Sequence, residues 1–152
     1  MKYLACLLLL SLPSCSHVTP GLRLCDYPPE DFERANADFL EGWESIFGAE
    51  DMAGIEFAVR RLDVTCVEHI DGASIGWPGF IVTGYTPNPG EVVILTHDPI
   101  SEEPWTLRQG SYSHELVHVA LWTTTGDGDA SHAEGDGPWE TRHDVLISIL
   151  TD

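Results

Sequence analysis

Ser111-Tyr112-Ser113-His114-Glu115-Leu116-Val117-His118-Val119-Ala120-Leu121-Trp122-Thr123-Thr124 spans residues 111–124, and on its reading the rest of the chain turns. The pattern predicts a helix with apolar side chains on almost every face, opened by Ser111 or Ser113 as N-cap and stopped by Gly126. A helix apolar all round is expected to be buried rather than to lie on the surface. His114 and His118 are four residues apart and therefore share one face of it, with Glu115 beside the first. Burying two imidazoles and a carboxyl among Val, Leu and Ala costs free energy unless they have partners. These three residues are accordingly the first candidates for chemistry.

Working outward toward the N-terminus, residues 80–85 (Phe80-Ile81-Val82-Thr83-Gly84-Tyr85) and 91–96 (Glu91 to Thr96) read as strands. The turn residues Pro87-Asn88-Pro89-Gly90 between them make the pair antiparallel. Residues 72–79 form a Gly-rich turn. Residues 55–67 alternate Ile55, Phe57 and Val59, then Leu62, Val64 and Cys66, which predicts one long, bulged strand. Residues 28–47 carry Phe32, Ala35, Phe39, Leu40, Trp43, Ile46 and Phe47 at helical spacing, with acidic residues at the start and Gly48 as a stop. Toward the C-terminus, a loop rich in Gly and Asp covers 126–137. Residues 139–150 then read as a closing helix with Val145, Leu146, Ile149 and Leu150 inward. The expected class is α+β: an N-terminal helix, a small, largely antiparallel sheet of about three strands, the central helix and the closing helix.

The 152 residues leave room for one cored domain. With 25 Asp plus Glu against 7 Lys plus Arg, the formal charge of −18 repels phosphate backbones, which argues against a nucleic-acid partner. The hydrophobic share of 43% is enough to fold despite that charge. At the N-terminus, Lys2 followed by the apolar run from Tyr3 to Leu10 reads as an export signal, too short to cross a bilayer as a mature helix. Leu12-Pro13-Ser14-Cys15 resembles the bacterial lipobox, which implies cleavage before Cys15 and lipid on that cysteine. An ordinary secretory signal cleaved near Ser14 or Ser16 is the alternative. The lipoprotein reading divides the chain into a signal at 1–14, a lipidated N-terminus and tether at 15–29, and a folded domain at 30–152. It expects an envelope location, with Ser16 after the cysteine pointing to the outer membrane by resemblance to lipoprotein sorting. Export leaves Cys25 and Cys66 as an even pair in an oxidising compartment, so a disulfide is expected between them. The bridge would close a loop of about 41 residues and contribute on the order of 4 kcal/mol.

His114-Glu115-Leu116-Val117-His118 is an HExxH motif. On a helix it brings both imidazoles within reach of one Zn2+, and Glu115 lies beside the metal rather than on it. From there Glu115 is placed to take a proton from a zinc-activated water and pass it to a leaving amine. A catalytic zinc needs a third protein ligand and an open position. The motif, the following Val119-Ala120-Leu121-Trp122, a polar turn, His132 and Gly137-Pro138-Trp139 together resemble the zincin metallopeptidases, most closely the SprT-like or Spartan branch. That pattern places a third His in a His-Gly-Pro context before an aromatic. Here thirteen residues separate His118 from His132, Ala133 follows it, and the Gly-Pro comes five residues later, preceded by Asp136. The resemblance spans residues 114–139. It implies His132 as third ligand, with Asp136 as the carboxylate alternative and Glu134 behind both. The DNA-binding role of that branch does not carry over to so acidic a chain.

Several other residues are weighed beside these. His143 and Tyr112 are candidates for support of a ligand or for stabilising an oxyanion. His97 ends the strand before the central helix and reads as a loop histidine or as a neighbour of substrate. Asp127, Asp129 and Ser131 alternate as in a calcium loop, but His132 and Pro138 stand where an EF-hand needs Gly and Glu. The strand at 91–96 is the candidate edge along which an extended peptide would add its backbone hydrogen bonds. The expected function is that of a membrane-anchored zinc metalloprotease acting on protein or peptide substrates. Two alternatives stand beside it: a zinc-binding envelope lipoprotein without proteolytic activity, and a metal-free structural or interaction lipoprotein.

Overall fold

A computed structural model describes residues 25–107, 111–128 and 146. Helix α1 (Pro29–Phe47) begins with Pro at its first position and has Glu30 and Asp31 in its first turn, where a fixed φ and negative charge both favour a helix start. Its stripe of Phe32, Ala35, Phe39 and Trp43 is buried at the expected helical spacing. Helix α2 (Met52–Val59) follows, and strand β1 (Asp63–Val67) only after it. The single long strand expected over 55–67 is therefore corrected to a helix and a short strand. Ile55 and Val59, four residues apart, are buried, whereas Phe57 between them is 63% exposed under the guanidinium of Arg61. A strand would have put all three on one face. Eight residues with apolar side chains at both two- and four-residue spacings satisfy either period, and packing against a neighbouring helix chose 3.6.

Strands β2 (Gly84–Asn88) and β3 (Glu91–Leu95) form the expected antiparallel hairpin. It begins later than expected: Phe80 and Ile81 stay outside the ladder and are 67% and 65% exposed. The sheet order is β1-β3-β2, with β1 parallel to β3 from Asp63 opposite Glu91 to Val67 opposite Leu95. The α+β class and three strands are as expected, and the sheet is mixed, with one pair of each sense. Strand β3 is central, which corrects the expectation that residues 91–96 form a free edge. Val92 to Leu95 are all buried, the continuous apolar run of a strand covered on both faces. The edges are β1 and β2, and β2 contains Pro87, which has no N–H to donate to a ladder.

Helix α3 (Tyr112–Thr125) ends at Gly126 in the left-handed region, as expected. Ser111 stands at its N-cap position, but its hydroxyl donates to Thr83 O at 2.8 Å instead of capping the helix. Leu116, Val117, Val119, Ala120 and Leu121 are fully buried. They join α1, α2, Val64, Val92, Ile94 and Leu146 in the main core. Leu146 is the only described residue of the closing helix expected at 139–150, and it is buried. Val93 and Leu95 point to the opposite sheet face, where Ile70, Ile75, Val82 and Trp105 cover them. The segment between β1 and β2 thus closes the second face of the sheet, through a short 3-10 turn (Gly72–Ile75) capped by Asp71.

Cys25 and Cys66 are joined by a disulfide, with Cα atoms 4.9 Å apart. The bond fastens the chain ahead of α1 to β1, and the Tyr27 hydroxyl adds a second tie by donating to Trp105 O at 3.0 Å. Tyr112 is 1% exposed, packs edge-on against Phe32 and donates its hydroxyl to Asn36 Oδ1 at 2.8 Å. Burial raises its pKa well above the ordinary tyrosine value. The folded state therefore holds this proton more tightly than the unfolded chain. Its contribution is complete below about pH 10 and is lost as pH rises beyond that, at about 1.4 kcal/mol per pH unit. Urea unfolding at pH 8, 10 and 11 is expected to show this fall. Tyr112→Phe is expected to flatten it and to cost about 1 kcal/mol at neutral pH, where Asn36 loses its donor. An equally steep fall in the variant would assign the alkaline loss elsewhere.

Candidate functional site

Helix α3 brings His114, Glu115 and His118 to one cleft of about 770 Å3. The ring centroids of the two histidines are 5.3 Å apart. The opposite wall is built by β2, from Gly84 to Pro87, and by the segment before it, including Trp77, Phe80 and Ile81. Trp77 and Phe80 meet edge to face, with centroids 5.9 Å apart. Trp105 and Trp122 complete a lining that is aromatic and aliphatic around the motif.

His118 and Glu115 each have an identifiable support. The Nδ1 of His118 lies 2.6 Å from the carbonyl oxygen of Gly128. A carbonyl only accepts, so Nδ1 is the donor in this contact, which leaves Nε2 as the nitrogen a metal would take. This approach needs a glycine, because a Cβ at Gly128 would collide with the Trp122 indole. Glu115 is 1% exposed and sits at the floor of the cleft, where its Oε2 accepts a hydrogen bond from the Thr86 hydroxyl at 2.8 Å. Burial pushes the Glu115 pKa up to about 8, against the smaller lowering effect of the Thr86 hydrogen bond. A divalent cation beside it would act in the opposite direction, favouring the carboxylate. Gly84 faces Glu115 directly: a Cβ there would stand 2.7 Å from Glu115 Oε1 and collide with Ser111 Oγ. Strand β2 can lie against α3 only because this position has no side chain.

The separation of the two imidazoles fits a shared zinc ion. Two imidazoles held by one tetrahedral zinc at ~2.1 Å have ring centroids about 5 Å apart, close to the separation of His114 and His118. A backbone carbonyl on the far nitrogen is the usual support of a metal-binding histidine, and Gly128 supplies one to His118. Among the described residues no third His, Cys, Asp or Glu completes a metal-holding group with this pair. The expected third ligand His132, its alternatives Asp136 and Glu134, and also His143, Asp129, Ser131 and Cys15 lie outside the described residues.

The remaining sequence candidates are placed elsewhere. Tyr112 turns into the core toward Asn36 and is not among the residues lining the cleft. His97 pairs with the Thr96 hydroxyl at 2.7 Å and lines a separate cavity of about 590 Å3, together with His69 and Asp98. The Asp98 carboxylate accepts the backbone N–H groups of Ile100 and Ser101, both at 2.8 Å, which marks it as a turn residue. Sequence reasoning missed Thr86, Gly84 and Gly128. Each acts through a contact with a residue distant along the chain or across a turn, and none carries a local motif. Comparison with family models, with curated proteins and with solved structures finds no match to this chain.

Proposed function

We propose that this chain is an exported, lipid-anchored zinc metalloprotease. The observation that carries the reading is the convergence of His114, Glu115 and His118 in one cleft, with His118 Nδ1 engaged by the Gly128 carbonyl. His114 and His118 would hold the metal, with His132 as third ligand and Asp136 as its alternative. When bound, zinc supplies a Lewis acid that polarises the scissile carbonyl and lowers the pKa of water. Glu115 takes a proton from the attacking water and delivers it to the departing amine, acting first as base and then as acid. Its place at the floor of an apolar cleft keeps bulk solvent from competing for that proton. The cleft wall of Trp77, Phe80, Ile81 and Trp105 favours a protein or peptide substrate that presents apolar side chains.

The disulfide supports export, because such bonds persist in oxidising compartments. Among the described residues no helix is long and apolar enough to cross a membrane. The resemblance of Leu12-Pro13-Ser14-Cys15 to the lipobox supports membrane attachment through lipid on Cys15, and Ser16 after it supports the outer membrane. The net charge of −18 sets nucleic acid aside as a partner.

Elemental analysis of purified protein tests the metal reading. About one zinc per chain is expected in the wild type, with loss of zinc in both His114→Ala and His132→Ala. Zinc lost in His114→Ala and kept in His132→Ala would move the third ligand to Asp136, which Asp136→Asn then checks. Absence of zinc from the wild type, or zinc indifferent to His114, would favour a metal-free structural lipoprotein.

A further inference from the structure

We infer that Thr86 is the positioning residue for Glu115, fixing through one hydroxyl which oxygen of the carboxylate faces the reaction. The inference rests on the reading of Glu115 as the proton-transfer group. A glutamate side chain has three rotatable bonds, and proton transfer needs one oxygen held within hydrogen-bond reach of the reacting atom. Displacement by an ångström is enough to cost much of the rate. Around Glu115 the helix packs Leu116, Val117 and Val119, and the polar groups one turn away are engaged elsewhere, Ser111 Oγ with Thr83 O and His118 Nδ1 with Gly128 O. Among the described residues the hydrogen bond to its side chain comes from Thr86 on β2, to Oε2 at 2.8 Å.

That donor is itself held in place. Pairing of Gly84 with Ile94 and of Tyr85 with Val93 locks β2 to the central strand. The Ser111 hydroxyl, donating to Thr83 O at 2.8 Å, ties the residue just before this strand to the start of α3. Gly84 then allows Glu115 Oε1 to lie against bare backbone, where any side chain would displace it. One carboxylate oxygen is thus occupied by Thr86, and the other remains for the proton. The ladder irregularity between Tyr85 and Asn88 falls where Thr86 leaves strict pairing with β3. Bulges of this kind re-aim a side chain.

The test compares Thr86→Val, which keeps the shape and removes the hydroxyl, with Thr86→Ser, which keeps the hydroxyl. The full chain is assayed on a fluorogenic peptide with apolar residues around the scissile bond, and zinc content is measured alongside. The 13C carboxyl resonance of Glu115, identified by its absence in Glu115→Gln, reports the carboxylate's surroundings independently of activity. Thr86→Val is expected to lower kcat by about 10- to 100-fold, with KM and zinc content within about twofold of wild type. Thr86→Ser is expected to recover most of the loss. The carboxyl resonance is expected to move in Thr86→Val and to return in Thr86→Ser. Wild-type kcat in Thr86→Val, a Thr86→Ser variant as poor as Thr86→Val, or an unmoved resonance would overturn the assignment while leaving the peptidase reading intact. A wild-type protein that binds zinc and hydrolyses no peptide would instead overturn the peptidase reading, and the positioning role with it.

Discussion

Glu115→Gln is expected to lower peptide hydrolysis by about 10²- to 10⁴-fold, the usual worth of a positioned proton-transfer group, while zinc stays bound. Glutamine has the shape of glutamate, and its carbonyl oxygen can still accept from the Thr86 hydroxyl that now donates to Oε2. The substituted side chain is neutral in a position that is 1% exposed, so no charge is left without a partner in the core. The fold is therefore expected to be retained, and thermal unfolding measured beside the kinetics separates lost chemistry from lost structure. His114 and His118 are untouched, so metal content should match the wild type. Hydrolysis at the wild-type rate would remove Glu115 from proton transfer and favour a zinc site whose role is not proteolytic. Loss of activity together with loss of zinc would instead make Glu115 part of the metal site's scaffold.

Replacing both Cys25 and Cys66 with Ser is expected to cost on the order of 4 kcal/mol, from the chain entropy released when the loop is opened. The loop spans 41 residues and contains α1 and α2. A domain of this size has only about 5 to 15 kcal/mol of stability in total, so the melting temperature should fall by roughly 10 °C. Urea unfolding of the double variant and of the wild type with and without reductant measures the effect. The reduced wild type should behave like the variant. A change under about 1 kcal/mol in both would mean that α1 docks equally well without the covalent tie. Tyr27, whose hydroxyl donates to Trp105 O, would then be the first place to look for the compensating hold.

The elements legible in the sequence are those with long, one-sided or all-round apolar patterns and distinct ends. Helix α1 has nineteen residues, a Pro start and a Gly stop, and its buried stripe follows directly from spacing. Helix α3 is similar, except that the hydroxyl of Ser111, one of the two expected caps, donates to Thr83 O just before β2. Helix α2 was not legible because its eight residues fit a strand pattern as well as a helical one. The centre of the sheet is also written in the sequence, against the expectation of an edge at 91–96. Pro87 demotes β2 to the edge, and the unbroken run from Val92 to Leu95 marks β3 as covered on both faces.

The candidate site residues are readable from one helical turn, since the spacing of His114 and His118 alone puts them on one face. The pairing of Cys25 with Cys66 follows from parity once Cys15 and the cysteine inside the apolar run from Tyr3 to Leu10 are set aside. What only the tertiary structure decided is how these groups are held. Thr86 and Glu115 are 29 positions apart, joined because Gly84 lets a strand and a helix touch. The carbonyl of Gly128 meets His118 because the chain doubles back past Trp122 after α3. Local propensity acts over a few residues, whereas the burial of Glu115 and the proton on His118 Nδ1 depend on surfaces that exist only once strand and helix have packed.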